Sequence, residues 1–219
     1  TEARQAYLRT PLAGFDIFVG NRQEFWGKAE SINVVDVINQ SDAAANDGKS
    51  SKLGAPSISA ERYLEIGDLQ LWYISGFREK TFNDSDAHPS SGLPVSSAQY
   101  ARKEGKDADD FAARLSSFAG EWDLAGSVFY GTARDPILSV ASDGSALTPY
   151  YALQKSIGLE VQYTGDVTLL KWENLHGTQS SLMGAHDFAA AVAGIEYTYY
   201  RPLETIWDIG LIGEIQHDD

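Results

Sequence analysis

The chain has 219 residues and no cysteine, so one domain with a sizeable core is possible while disulfide frameworks and cysteine-based zinc sites are not. With 17 basic residues against 31 acidic ones the formal charge is -14, which argues against nucleic acid as a partner, because a phosphate-binding surface needs an excess of Lys and Arg. No stretch approaches the roughly 20 apolar residues of a transmembrane helix, and mean hydropathy is only -0.28. Alternating strands remain open, since each carries only half the apolar load.

In chain order, the sequence reads as strand, short turn, strand and long polar loop, repeated. The opening Thr1-Glu2-Ala3-Arg4 has no apolar leader, so an exported chain is expected to be mature, trimmed or incomplete. The first short turn is Pro11-Leu12-Ala13-Gly14, followed by a strand over 15–26. The second is Gly67-Asp68, between a run ending at Ile66 and a run over 69–82. The third is Gly120-Glu121, between 111–119 and 122–132. The fourth is Gly165-Asp166, between 151–164 and 167–175. The fifth, Arg201-Pro202-Leu203-Glu204, joins 188–200 to 207–216. Gly, Asp and Pro are the residues that tight connections require. The intervening segments 27–57, 83–109, 133–150 and 176–187 are long and rich in Ser, Asp, Asn and Gly. Short turns at one end of a meander and long loops at the other mark an outer-membrane barrel.

The strands alternate with period 2. Phe15, Ile17, Val19 and Phe25 oppose Asp16, Arg22 and Glu24; Ile157, Leu159 and Val161 oppose Gln154, Ser156 and Glu160; Trp207, Ile209, Leu211 and Ile215 oppose Asp208, Glu214 and Gln216. Arg62 breaks the pattern in 58–66. Alternation over nine or more residues suits a tilted membrane strand. Aromatics mark the ends: Phe15, Trp122, Tyr163, Tyr199 and Trp207 beside short turns, and Phe25, Phe77, Phe82, Tyr130, Trp172 and Phe188 toward the loops. They are expected to form two girdles at headgroup depth.

A charge facing lipid is costly, so Asp16, Arg22, Glu24, Arg78, Lys80, Arg114, Glu160, Lys171, Glu173, Glu196, Asp208 and Glu214 are expected to face a lumen. They would form either a selectivity lining or a ladder of ion pairs that plugs and stiffens the barrel. On the later strands acids outnumber Lys171, which would attract cations. The apolar island 32–38 suggests a short helix or turn folded into the mouth, with Asp36, Asn39 and Asp42 lining a constriction, or else a loop hydrophobe packed on its neighbours.

No catalytic motif is present: there is no nucleophile elbow, no paired-histidine zinc helix and no phosphate-binding loop. The four histidines fall in loops or at the terminus; His176 and His186 with Met183 and Asp187 read as solvated rather than metal-binding. Asn83-Asp84-Ser85-Asp86 and 107–110 lack the spacing of a calcium loop and read as solvated loop acid. No cofactor is expected.

The run Val19-Gly20-Asn21-Arg22-Gln23-Glu24-Phe25-Trp26-Gly27-Lys28, followed by Val35-Asp36-Val37-Ile38-Asn39-Gln40-Ser41-Asp42, resembles porin-like outer-membrane proteins of Gram-negative bacteria. Gln40 stands where proline is usual, so the loop backbone is expected to differ there. Gly158-Leu159-Glu160 through Leu170-Lys171-Trp172-Glu173, and Gly194-Ile195-Glu196 through Gly213-Glu214, resemble the same group. The resemblance implies an all-β, antiparallel up-and-down transmembrane barrel. This chain would supply about ten strands and be incomplete at both ends. It implies contact with outer-membrane lipid but no settled substrate, since members range from general pores to exporters and specific uptake channels; passage or binding of small hydrophilic solutes or cations, rather than catalysis, is the expectation here. Two alternatives stay open: a plugged structural or adhesive barrel, and a soluble lipocalin-like barrel whose apolar face points inward around a small ligand.

Overall fold

The structure is a computed structural model that describes residues 4–42, 52–82, 92–181, 184–204 and 206–219. Ten strands build one antiparallel sheet: β1 (Ala6–Leu12), β2 (Phe15–Arg22), β3 (Ala55–Leu64), β4 (Gly67–Ile74), β5 (Asp110–Ala119), β6 (Trp122–Thr132), β7 (Leu153–Thr164), β8 (Thr168–Ser181), β9 (Gly184–Tyr199) and β10 (Ile209–Asp218). Each pairs with the next in sequence, giving the expected meander from β1 to β10. The sheet is open, which corrects the expected closed barrel. Closure requires the first and last strands to exchange hydrogen bonds. Here β1 pairs only with β2 and β10 only with β9, so both remain edges exposed on nearly every residue.

The short turns fall at one end of the strands. The second is Glu65-Ile66 rather than Gly67-Asp68, because Leu64 pairs with Gly67 across a two-residue loop. Gly67 opens β4 at φ 138, where a Cβ would lie 1.9 Å from the Ser116 carbonyl oxygen. Glycine is required there by close backbone approach, not by the turn. The strand expected over 69–82 ends at Ile74, and 75–82 runs on without ladder partners.

At the other end, 133–150 carries its own hairpin. Ile137–Val140 pairs with Leu147–Tyr151, which in turn pairs in parallel with Gln99–Tyr100. Within the fourth long loop, 176–187, the described residues 176–181 and 184–187 are strand: β8 and β9 extend into it, with His176 opposite Ala189 and Gln179 opposite His186. Its Gly, Thr, Gln and Ser residues resemble loop composition but continue the strand pairing. The short helix expected within 27–57 is absent among the described residues. Up to the start of β3 at Ala55 that stretch is irregular apart from a two-residue ladder, Gln40–Ser41 with Lys52–Leu53, and 43–51 lie outside the described residues.

Alternation places the two faces as expected. On β7, Ile157 and Leu159 are 59% and 47% exposed, whereas Glu160 between β6 and β8 is 1% exposed. The same outer face carries Val19, Ile58, Leu71, Phe111, Val128, Leu170, Ile195 and Leu211, all exposed. Arg62 sits on this face at the short-turn end, its guanidinium 5.2 Å from the Phe15 ring centre. Trp122 and Tyr163, both expected beside short turns, pack ring to ring at 4.9 Å at that end. The loop side differs. Phe188 turns inward, Phe77 is buried among the loops, and Phe25 and Phe82 lie outside the strands. The outward aromatics there are Tyr73, Phe111 and Tyr130, with Tyr73 and Phe111 rings 5.5 Å apart.

Candidate functional site

The inner face is crossed by a strap. Residues 23–42 leave β2 and run over the sheet as far as β10, and the core lies beneath them. Trp26, Val35, Val37 and Ile38 of the strap pack with Ala55, Trp72, Ile74, Ala112, Phe129 and Leu175 of the sheet. Trp26 is 1% exposed, and its indole N–H donates to Gln70 Oε1 at 3.0 Å. Gly158 allows close approach: a Cβ there would stand 3.1 Å from Val35 Cγ1 and 2.5 Å from Ser127 Oγ.

Two carboxylates from the sheet pin the strap by its backbone. Glu173 Oε1 accepts from the N–H groups of Lys28 at 2.5 Å and Ala29 at 2.7 Å. Glu214 accepts from Glu30 N–H at 2.6 Å and Ser31 N–H at 2.8 Å. Successive N–H groups aimed at one carboxylate satisfy donors that no ladder serves, and a charged acceptor makes such bonds strong. Lys171 Nζ bonds Glu30 of the strap and lies 2.5 Å from Glu196.

Most of the remaining inward charges are paired. Arg9 holds Asp16 at 2.6 Å. Arg22, flat against Phe18 with 4.0 Å to the ring centre, bonds Glu24 at 2.8 Å, Glu61, and Ser59 at 2.9 Å. Burial pushes the Glu24 carboxyl above its usual range, and Arg22 opposes the shift. Arg114 grips Glu160 with both forks at 2.8 Å. Along β1–β7 the buried inward acids thus each have a guanidinium partner, Arg22 serving two of them. Toward β8–β10, Glu30, Glu173, Glu196 and Glu214 face one cation, Lys171, among the described residues.

The residues expected at a constriction belong to the strap but do not all line open space. Asn39 is 1% exposed and ties β2 to the strap, accepting from Glu24 N–H at 2.6 Å and donating to the Arg22 carbonyl at 3.1 Å. Asp36 pairs with Lys52 at 3.0 Å. Burial raises its carboxyl, with Lys52 pulling the other way. Asp42 bonds Arg4 and Thr81, each at 2.8 Å. Arg78 and Lys80 lie past the end of β4 rather than on it, bonded to the Gly54 carbonyl at 2.9 Å and to Asp135 at 2.5 Å. Asp208 is exposed in the last turn, accepting from Arg201 N–H at 3.1 Å, and is not on the inner face.

A second cluster was hidden in what reads as solvated loop. Asp110 is fully buried at the start of β5. It accepts from Arg134 at 2.7 Å, from Thr132 N–H at 3.0 Å and from Arg102. Arg134 Nε also donates to the carbonyls of Val37 and Ile38 at 3.1 and 3.0 Å, fastening the strap from the loop side. Nearby, Tyr151 Oη accepts from Lys80 N–H at 2.9 Å, and burial pushes its hydroxyl up to about 12. Nothing in the spacing of Asp110 and Arg134 signals this; only the unusual stretch of charges flanking two strand ends could have.

His176 and His186 sit on opposite faces of the sheet, so they cannot share an ion. Met183 and 83–86 lie outside the described residues. The fold and its site define an all-β protein whose broad antiparallel meander is apolar on one face and bridged by a charged strap on the other. The chain matches no known family model, no curated protein and no solved structure.

Proposed function

We propose that this chain is part of a membrane-spanning β-barrel of the outer-membrane type, acting as a pore for small hydrophilic solutes or cations and narrowed by the strap. The observation that carries this reading is the outer face: large apolar side chains stand exposed along successive strands, while acids on the same strands are turned inward and buried. A contiguous apolar surface of that extent needs a cover, and lipid suits an alternating strand. In a membrane the unpaired edges of β1 and β10 must also be satisfied by further strands, because backbone groups left open to hydrocarbon are costly. The same placement counts against a lipocalin-like carrier, which needs its apolar face inside.

On this reading the acids near β8–β10 form the selectivity region and favour cations. Reconstitution in planar bilayers tests it: the protein should conduct, and a salt gradient should give a cation-selective reversal potential that shrinks in the Glu196→Gln/Glu214→Gln variant. Absence of conductance supports the second reading, a plugged structural barrel. That alternative draws on the pairing of Asp16, Glu24, Glu61 and Glu160 and on the strap itself.

Lipid contact also predicts the effect of a charge on the outer face. Leu159→Arg, near the middle of β7, should destabilise the protein by about 2–4 kcal/mol in bilayers. Gln162→Arg, inward and close by, should cost far less. Equal costs in a denaturant titration of the reconstituted protein would contradict lipid on the outer face.

A further inference from the structure

Between the strap and the loop-side ends of β7–β10 lies a cavity of about 410 Å³, within the ~300–1,000 Å³ range of small-molecule sites. The Gln154, Gln179 and Asn33 amides border it, with Phe129, Phe188 and Leu175 as apolar walls. The two glutamines come from directly paired positions on β7 and β8, and Gln179 Nε2 donates to Gln154 Oε1 at 3.0 Å. Gln154 is 5% exposed, and its own amide N–H bonds Ser156 Oγ at 3.1 Å, which fixes which way it points.

The charges at this cavity, the exposed Asp218 at its rim apart, are already compensated. Asp36 holds Lys52 at 3.0 Å, Arg134 holds Asp110 at 2.7 Å, and Asp135 holds Lys80 at 2.5 Å. Asp218 accepts from Gln216 at 2.6 Å. An anion entering here would lose hydration without meeting a free cation, and a cation would meet only Asp218 at the exposed rim, where water screens the attraction. What the walls offer instead is amide donors and acceptors beside flat apolar surface. That combination matches a molecule with hydroxyls on its rim and C–H groups on its faces. Resting on the pore reading above, we propose that this cavity binds a neutral polyhydroxylated solute of mono- or disaccharide size, and that it is the solute site of the pore.

Calorimetric titration of the detergent-solubilised protein tests binding independently of conduction. The probes are glucose, galactose, N-acetylglucosamine, maltose and sucrose, against glucose 6-phosphate and glucosamine as charged counterparts. At least one neutral sugar should bind, more tightly than either charged probe. Gln179→Ala should weaken it about tenfold, the loss of one or two well-placed hydrogen bonds, as should Asn33→Ala. An unchanged thermal unfolding midpoint shows that the variants are folded. Binding by no neutral sugar, tighter binding of a charged probe, or affinity unmoved by both substitutions overturns the proposal. Sugar binding by a protein that fails to conduct keeps the site and removes the pore.

Discussion

Replacing Arg114 by methionine is expected to destabilise the protein by about 3–5 kcal/mol, the cost of leaving a buried carboxylate without its partner. Glu160 is 1% exposed and receives both forks of the Arg114 guanidinium at 2.8 Å. It stands directly opposite Glu173 in the β7–β8 pair, so the unpaired charge would also face a second buried acid. The penalty belongs to the orphaned charge more than to the lost pair. The double variant Arg114→Met/Glu160→Leu should therefore recover most of the stability, since apolar replacement of a whole buried pair is often neutral or better. Denaturant titration of the three proteins in the same detergent measures this. A single-variant cost below about 1 kcal/mol, the ceiling for an exposed pair, would mean that the inner face is well hydrated there.

Trp26→Ala is the second large effect expected, about 3–5 kcal/mol for removal of a buried tryptophan from a packed core. Trp26 is the largest fully buried side chain among the described residues, and it joins the strap to β4 through Gln70. Its loss should loosen the strap before the sheet, because strand pairing between β2 and β10 does not pass through it. Trypsin should then cut after Lys28, which sits beside the Glu173 pin, under conditions where the wild type resists. Full resistance in the variant would show that the carboxylate pins alone hold the strap.

Strand faces were legible in the sequence because period-2 alternation couples chemistry to direction. Ile157, Leu159, Glu160, Ile195 and Glu196 needed only parity to be placed. The meander order followed from turn spacing. Segment 176–187 was misread because its strand ends extend beyond the apolar band, where polar residues occupy both faces and composition ceases to distinguish strand from loop. Gly67 was read as a turn residue because sequence shows that glycine is needed but not why. The strap's anchors were invisible for a deeper reason. Glu173 and Glu214 bind backbone N–H groups, which every residue but proline carries, so no side-chain motif records the partner. In sequence Asp110 is one loop acid among several, although burial and two arginines set it apart. Open sheet edges have no local signature either, since β1 and β10 alternate like their neighbours.

Whether lipid covers the outer face can be read from single cysteines, for which this cysteine-free chain is a ready background. Leu159→Cys and Ile157→Cys place a fluorophore on the outer face of β7, and Gln162→Cys places one on the inner face of the same strand. In liposomes containing spin-labelled acyl chains, the labels at 157 and 159 should be strongly quenched and shielded from aqueous iodide, while the label at 162 shows the reverse. Equal iodide quenching at all three positions, with no response to the labelled lipid, would contradict a membrane-embedded sheet.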